Sequence, residues 1–288
     1  MKRFGWRFWS CLVALGLLAA TLFQPRIVLP RPAHRYLVVI DITQSMNARD
    51  YHVPGWPGDR LGFTKASVER ALLALPCGSE AALAVFAHKN AYLLLAPLEV
   101  CEHGAALRSA LRAIDWRSAW AGDSHIAYGL FDALKMAATL DAVLVFLTDG
   151  HQVPAAIKDP VFRGKPGRAG GFLVGVGGPA PVPIPRLDLE GRATGFWRKT
   201  DLPHPIHSPR FRRQAERDRS GLLLSHRDEN RLRRLADLTG LHYHPLNHPE
   251  SLADRLRQAP AAKKRPVAVD LRPWFGFTAL VLAFAALV

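Results

Sequence analysis

Cysteine is scarce: the 288 residues hold three, and Cys11 lies inside an apolar run near the start. Cys77 and Cys101 alone cannot make a zinc finger. Acidic residues are also outnumbered, 24 Asp and Glu against 38 Lys and Arg, for a formal net charge of +14. Such an excess points to an acidic protein partner, anionic lipid or nucleic acid. Nucleic acid is unlikely, because the basic residues are scattered, do not alternate with exposed aromatics and accompany no RNA-binding motif. There is no internal repeat. A Gly-x-x-x-x-Gly-Lys-[Ser/Thr] loop and a Gly-x-Ser-x-Gly elbow are both missing, so ATPase and serine hydrolase readings have no support. An apolar content of 49% with 22% charged residues excludes a disordered chain. The length allows one large domain with attachments.

Both ends are apolar. Lys2, Arg3 and Arg7, the aromatics Trp6, Phe8 and Trp9, and the run Cys11 to Phe23 predict an uncleaved membrane anchor over 1–33. That orientation puts the rest of the chain outside a bacterial inner membrane, in the periplasm. A linker carrying Lys263, Lys264 and Arg265 leads to a second apolar segment, Trp274 to Val288, which is short for a full span. Its flanking charges conflict with the first orientation, so its topology stays open within 259–288.

Residues 34–258 read as the main domain. Tyr36–Ile40, Asp141–Thr148 and Gly171–Val176 are continuous apolar runs suited to buried strands. Helical periodicity covers Leu61–Leu75, Ala105–Ile114 and Asp228–Thr239, and Asp123 or Ser124 is placed to cap a helix carrying Ile126, Leu130 and Leu134. A strand at Leu241–Leu246 and a helix at Pro249–Arg257 follow. Strands alternating with helices predict a three-layer, doubly wound α/β domain with a mostly parallel sheet. One antiparallel edge hairpin is expected, from Ala81–Ala87 and Ala91–Ala96 turning through His88-Lys89-Asn90. Cys77 and Cys101 each lie twelve positions from Lys89. They are read either as a disulfide across the base of that hairpin or as two unpaired, half-buried thiols. A Pro- and Arg-rich insertion spans about 178–221. Its Arg210, Arg212 and Arg213 belong either to a solvated loop or to a docking surface for an acidic partner.

Ligands in open α/β sheets bind at the carboxyl ends of strands. Asp41-Ile42-Thr43-Gln44-Ser45 begins at one such end, and Asp149-Gly150 sits at another. If the strands are neighbours, two carboxylates and two hydroxyls converge, an oxygen set suited to Mg²⁺ or Ca²⁺, with Mn²⁺ also acceptable. These residues resemble the D-x-[ST]-x-S metal-ion-dependent adhesion site and the second signature of von Willebrand factor A domains. Gly122-Asp123-Ser124-His125-Ile126 stands where that family has a threonine loop, so the resemblance assigns Ser124 to the threonine position, with Asp123 as an extra acid.

The resemblance implies a magnesium- or calcium-dependent protein-binding module, with Asp41, Thr43, Ser45, Ser124 and Asp149 around the metal and an open position for a partner's carboxylate. No catalytic residue follows from it. Residues 41–51 and 183–197 are also similar to accessory proteins of bacterial methanol oxidation. That likeness implies a role in assembling or metal-loading a periplasmic, quinone-dependent methanol dehydrogenase. A second option is an aerotolerance-type membrane protein working with a chaperone-like ATPase. A zinc enzyme built on His242, His244 and His248 ranks below both, since no matching Cys or Glu spacing accompanies them.

Overall fold

A computed structural model describes residues 5–153, 159–198, 223–257 and 263–287. The chain forms two compact units, one from the described parts of 1–33 and 263–288, the other from those of 34–262.

In the larger unit a six-stranded sheet is built from β2 (Arg35–Asp41), β3 (Glu80–Ala87), β4 (Asn90–Glu99), β5 (Val143–Thr148), β6 (Gly171–Gly175) and β11 (His242–Pro245). Their order is β11-β6-β5-β2-β3-β4, parallel throughout except for the antiparallel pair β3–β4 at one edge. This is the three-layer α/β architecture with one edge hairpin expected from the sequence.

Alternation along β2 explains the layers. Tyr36, Val38 and Ile40 enter one core with residues of α2 (Arg60–Leu73), α3 (Gly104–Ala113) and α6 (Pro249–Arg257). Leu37 and Val39 enter the other core, with α4 (Ile126–Thr139) and α5 (Glu229–Thr239). Successive strand side chains point to opposite faces, so a run apolar at every position is stable only with helices on both sides. Caps fix the helix starts: Asp59 accepts from Gly62 N at 2.7 Å and Asp228 from Arg231 N at 3.0 Å. Gly129 is the point of closest approach of α4 to the sheet, where a Cβ would lie 2.1 Å from the Phe86 ring.

Beyond the sheet, β7 (Val182–Pro183) pairs with β10 (Leu224–Ser225), and β8 (Pro185–Leu187) with β9 (Ala193–Phe196). Part of the expected insertion is thus regular. Arg210, Arg212 and Arg213 lie outside the described residues.

In the smaller unit α1 (Trp6–Thr21) packs against α7 (Arg272–Leu287), and β1 (Arg26–Ala33) pairs antiparallel with β12 (Lys263–Asp270). The two ends, read separately in the sequence, are therefore joined. Lys263, Lys264 and Arg265 open a strand and do not flank a helix directly. The expected spans need correcting. Each helix has 16 residues, about 24 Å at 1.5 Å per residue, against about 30 Å of bilayer hydrocarbon. Among the described residues no helix is long and apolar enough to cross a membrane.

Candidate metal centre

Pairing of β2 with β5 sets Ile40 beside Leu147, so Asp41 and Asp149 emerge next to each other at the carboxyl edge of the sheet. Both are fully buried. Asp41 Oδ1 accepts from Thr43 N at 2.9 Å and Thr43 Oγ1 at 2.7 Å, and its Oδ2 from Thr148 Oγ1 at 2.6 Å. Thr43 Oγ1 lies 3.3 Å from Ser45 Oγ. Burial, then the neighbouring Asp149 charge, push the Asp41 carboxyl up to about 7, against the hydrogen bonds from Thr148 and Thr43. No cationic side chain among the described residues pairs with Asp41.

Asp149 has a different environment. Its Oδ2 accepts from Arg60 Nη1 at 2.7 Å and Ser225 Oγ at 2.8 Å, and its Oδ1 from His151 N at 2.9 Å. Arg60 is 0% exposed and also grips Asp50, with Nη2 to Oδ2 at 2.6 Å and Nε to Oδ2 at 3.0 Å. Burial pushes the Asp50 carboxyl up, but the Arg60 hydrogen bonds and charge outweigh it and hold the group below its usual range. Gly177, at φ +87°, makes room for this arginine: a Cβ there would sit 2.3 Å from Arg60 Nε. Arg60 went unnoticed in the sequence. An arginine opening a helix carries no signal that it is buried, because its partners sit at 50, 149 and 225.

A recess of about 20 Å³, room for roughly one water-sized ion, is lined by Thr43, Ser45, Ser124 and Ile184 among others, and the Thr43 hydroxyl links it to Asp41 by a hydrogen bond. Ser124 is not a helix cap as expected. It forms backbone bridges to Val153 and His88, and its buried hydroxyl has no partner among the described residues. The structure therefore brings Thr43, Ser45 and Ser124 to one recess, with Asp41 hydrogen-bonded to Thr43 and Asp149 in the grip of Arg60. An unpartnered buried hydroxyl, two adjacent hydroxyls and a carboxylate without a counter-ion are the donors a hard divalent cation takes. The residues fit such an ion.

His242 and His244 lie on edge strand β11 and His248 is exposed beyond it, and they form no metal-holding group among the described residues. Cys77 and Cys101 are joined by a disulfide, with Cα atoms 5.4 Å apart.

Residues 36–152, from β2 to just past Asp149, match the von Willebrand factor type A domain family. None of the curated proteins matches the chain. Among solved structures, an aerotolerance-related membrane protein from Bacteroides fragilis is similar at 18% identity and TM-score 0.55, covering 79% of this chain and 98% of that one. The protein BatB from Bacteroides thetaiotaomicron is similar at 16% identity and TM-score 0.50, covering 78% and 96%. At these identities the likeness speaks for the fold. From β2 through the Asp149 turn, inside a six-stranded sheet covered on both faces, this chain has the fold of a von Willebrand factor type A domain.

Proposed function

We propose that the domain is a divalent-cation-dependent protein-binding module and not an enzyme, with Mg²⁺ or Ca²⁺ as its ion. The observation that carries this reading is Asp41, a fully buried carboxylate with no cation opposite it among the described residues, hydrogen-bonded to Thr43, which lines a recess together with the Ser45 and Ser124 hydroxyls. Thr43 N and Thr43 and Thr148 hydroxyls orient its two oxygens, while Thr43, Ser45 and Ser124 offer the remaining protein donors. When bound, the dication supplies an open coordination position for a carboxylate.

Asp41, Asp50 and Asp149 against Arg60 leave two negative charges when Asp41 is ionised, which a dication brings to zero. An acidic partner is favoured by the overall charge of +14.

The exposed apolar side chains of α1 and α7, among them Trp6, Trp9, Leu15, Trp274, Phe277 and Phe284, suit attachment to a lipid surface. The disulfide suits an oxidising compartment such as the periplasm. The aerotolerance-type role that the sequence resemblance implies, working with a chaperone-like ATPase, is the broader role we carry forward; an aerotolerance-related membrane protein and BatB share this chain's fold. Nothing in the comparisons supports the methanol dehydrogenase role suggested by residues 41–51 and 183–197, and we do not carry it further.

Crosslinking in native membranes, with Mg²⁺ or with chelator, tests the reading. Partner capture should need the ion and vanish in Asp41→Ala while the far-ultraviolet circular dichroism stays unchanged. Capture that survives both chelator and Asp41→Ala would sink it.

A further inference from the structure

Asp123, the extra acid beside Ser124, does not line the Asp41 recess. The segment around Ser124 is extended: Ser124 N and O bond Val153 at 2.8 and 3.0 Å, and His125 N donates to His88 O at 2.8 Å. Side chains along extended backbone alternate in direction, so Ser124 turns to the recess and Asp123 and His125 turn the other way. There they meet His88. His88 Nδ1 lies 2.8 Å from Asp123 Oδ1, and His125 Nε2 lies 3.0 Å from Asp123 Oδ2. One ligand atom from each of the three lies within 4.8 Å of the others. Among the described residues one other such group exists, Cys77, Glu99 and Cys101, and its thiols are consumed in the disulfide.

The donor set decides the class of ion. Two imidazoles and one carboxylate suit zinc and its transition-series neighbours, whereas Mg²⁺ and Ca²⁺ prefer oxygen alone. Ligand bonds of about 2.0–2.1 Å in a tetrahedron put donors about 3.3 Å apart, so the two carboxylate contacts need to open by about half an ångström or less and the two imidazole nitrogens, within 4.8 Å of each other, to settle at that spacing. The His125 side chain is 3% exposed, His88 30% and Asp123 36%. The cluster thus has a closed floor and one side open to water, which would supply the fourth ligand.

The turn itself points the same way. His88 follows β3 in the tight link to β4 and has φ +58°. Glycine is at ease there, while a residue with a Cβ is strained by on the order of 1 kcal/mol. The strain is offset by what the imidazole contacts.

We propose that His88, Asp123 and His125 hold a transition-metal dication of the zinc class, in a second centre back to back with the Asp41 recess. It shares the 123–125 segment with that recess but differs from it in chemistry, and it stands whether or not the Asp41 reading does. Without a metal, the same geometry is a carboxylate accepting two imidazole N–H groups, and the experiment separates the two.

The full chain in detergent, stripped with chelator and then given excess Mg²⁺ to fill oxygen sites, is titrated with Co²⁺ alone and read by visible absorption. One Co²⁺ per chain is expected, with a spectrum of nitrogen coordination. His88→Gly, which relaxes the turn, and His125→Gln should each weaken that binding by at least about tenfold, and His248→Gln should leave it unchanged. Thermal melting of His88→Gly at or above the wild-type temperature shows that the loss is not unfolding. The proposal is overturned if the wild type takes up no cobalt, or if His88→Gly and His125→Gln both bind it as the wild type does.

Discussion

At the scale of single residues, the two central carboxylates differ in what faces them. Asp149 has Arg60, while Asp41 has only hydroxyl and amide donors. With its carboxyl pushed up to about 7, against about 3.9 when unfolded, Asp41 favours the metal-free folded state below about pH 4. That contribution is lost as pH rises from about 4 to 7. A dication has to displace the same proton. Mg²⁺ affinity should therefore weaken by about tenfold per pH unit below 7 and level off above it, which isothermal titration across that range would read. A flat profile would show Asp41 ionised throughout. Arg60→Leu removes the cation shared by Asp50 and Asp149 and should cost about 3–5 kcal/mol in urea denaturation. A loss under 1 kcal/mol would mean that water enters and screens the pair.

Among the elements, the β3–β4 hairpin is pinned at its base by Cys77–Cys101, which closes a loop of sequence separation 24. A loop of that length corresponds to about 3 kcal/mol of stabilisation through the unfolded chain. The Cys77→Ser/Cys101→Ser double variant should melt several degrees lower, and reductant should lower the wild type to the same point. Equal melting temperatures would deny the bond a stabilising role. The segment before α4 teaches a different lesson. Asp123 and Ser124 have the composition of caps, yet Ser124 pairs its backbone with Val153 and His88 and leaves α4 with His125 at its N-cap. Capping preference is local and weak, worth about 1 kcal/mol. Two backbone bridges to distant segments override it, and that override turns the Ser124 hydroxyl to the recess.

For the whole molecule, the two units divide the work. The larger carries the proposed metal centre, and the smaller carries the apolar helices α1 and α7. Residues 34–262 expressed alone should keep the fold and the metal response but no longer sediment with lipid vesicles that hold the full chain. Equal sedimentation would assign lipid binding to the basic surface of the larger unit, given the overall charge of +14.

Much of the sheet was legible in the linear chain because its strands are apolar on both faces. Tyr36–Ile40 and the run ending at Thr148 need helices above and below wherever they fold, and burial of contiguous residues is a local property of the sequence. The carboxyl-end positions of Asp41 and Asp149 follow from those strands. Three features came only from the tertiary structure: the burial of Arg60 among Asp50, Asp149 and Ser225, the joining of the two apolar ends through β1 and β12, and the meeting of His88 with Asp123 and His125. Each depends on groups tens to hundreds of positions apart. Whether a charged or titratable side chain has a partner is decided by what the fold brings within a few ångströms, which residue type and local spacing do not encode.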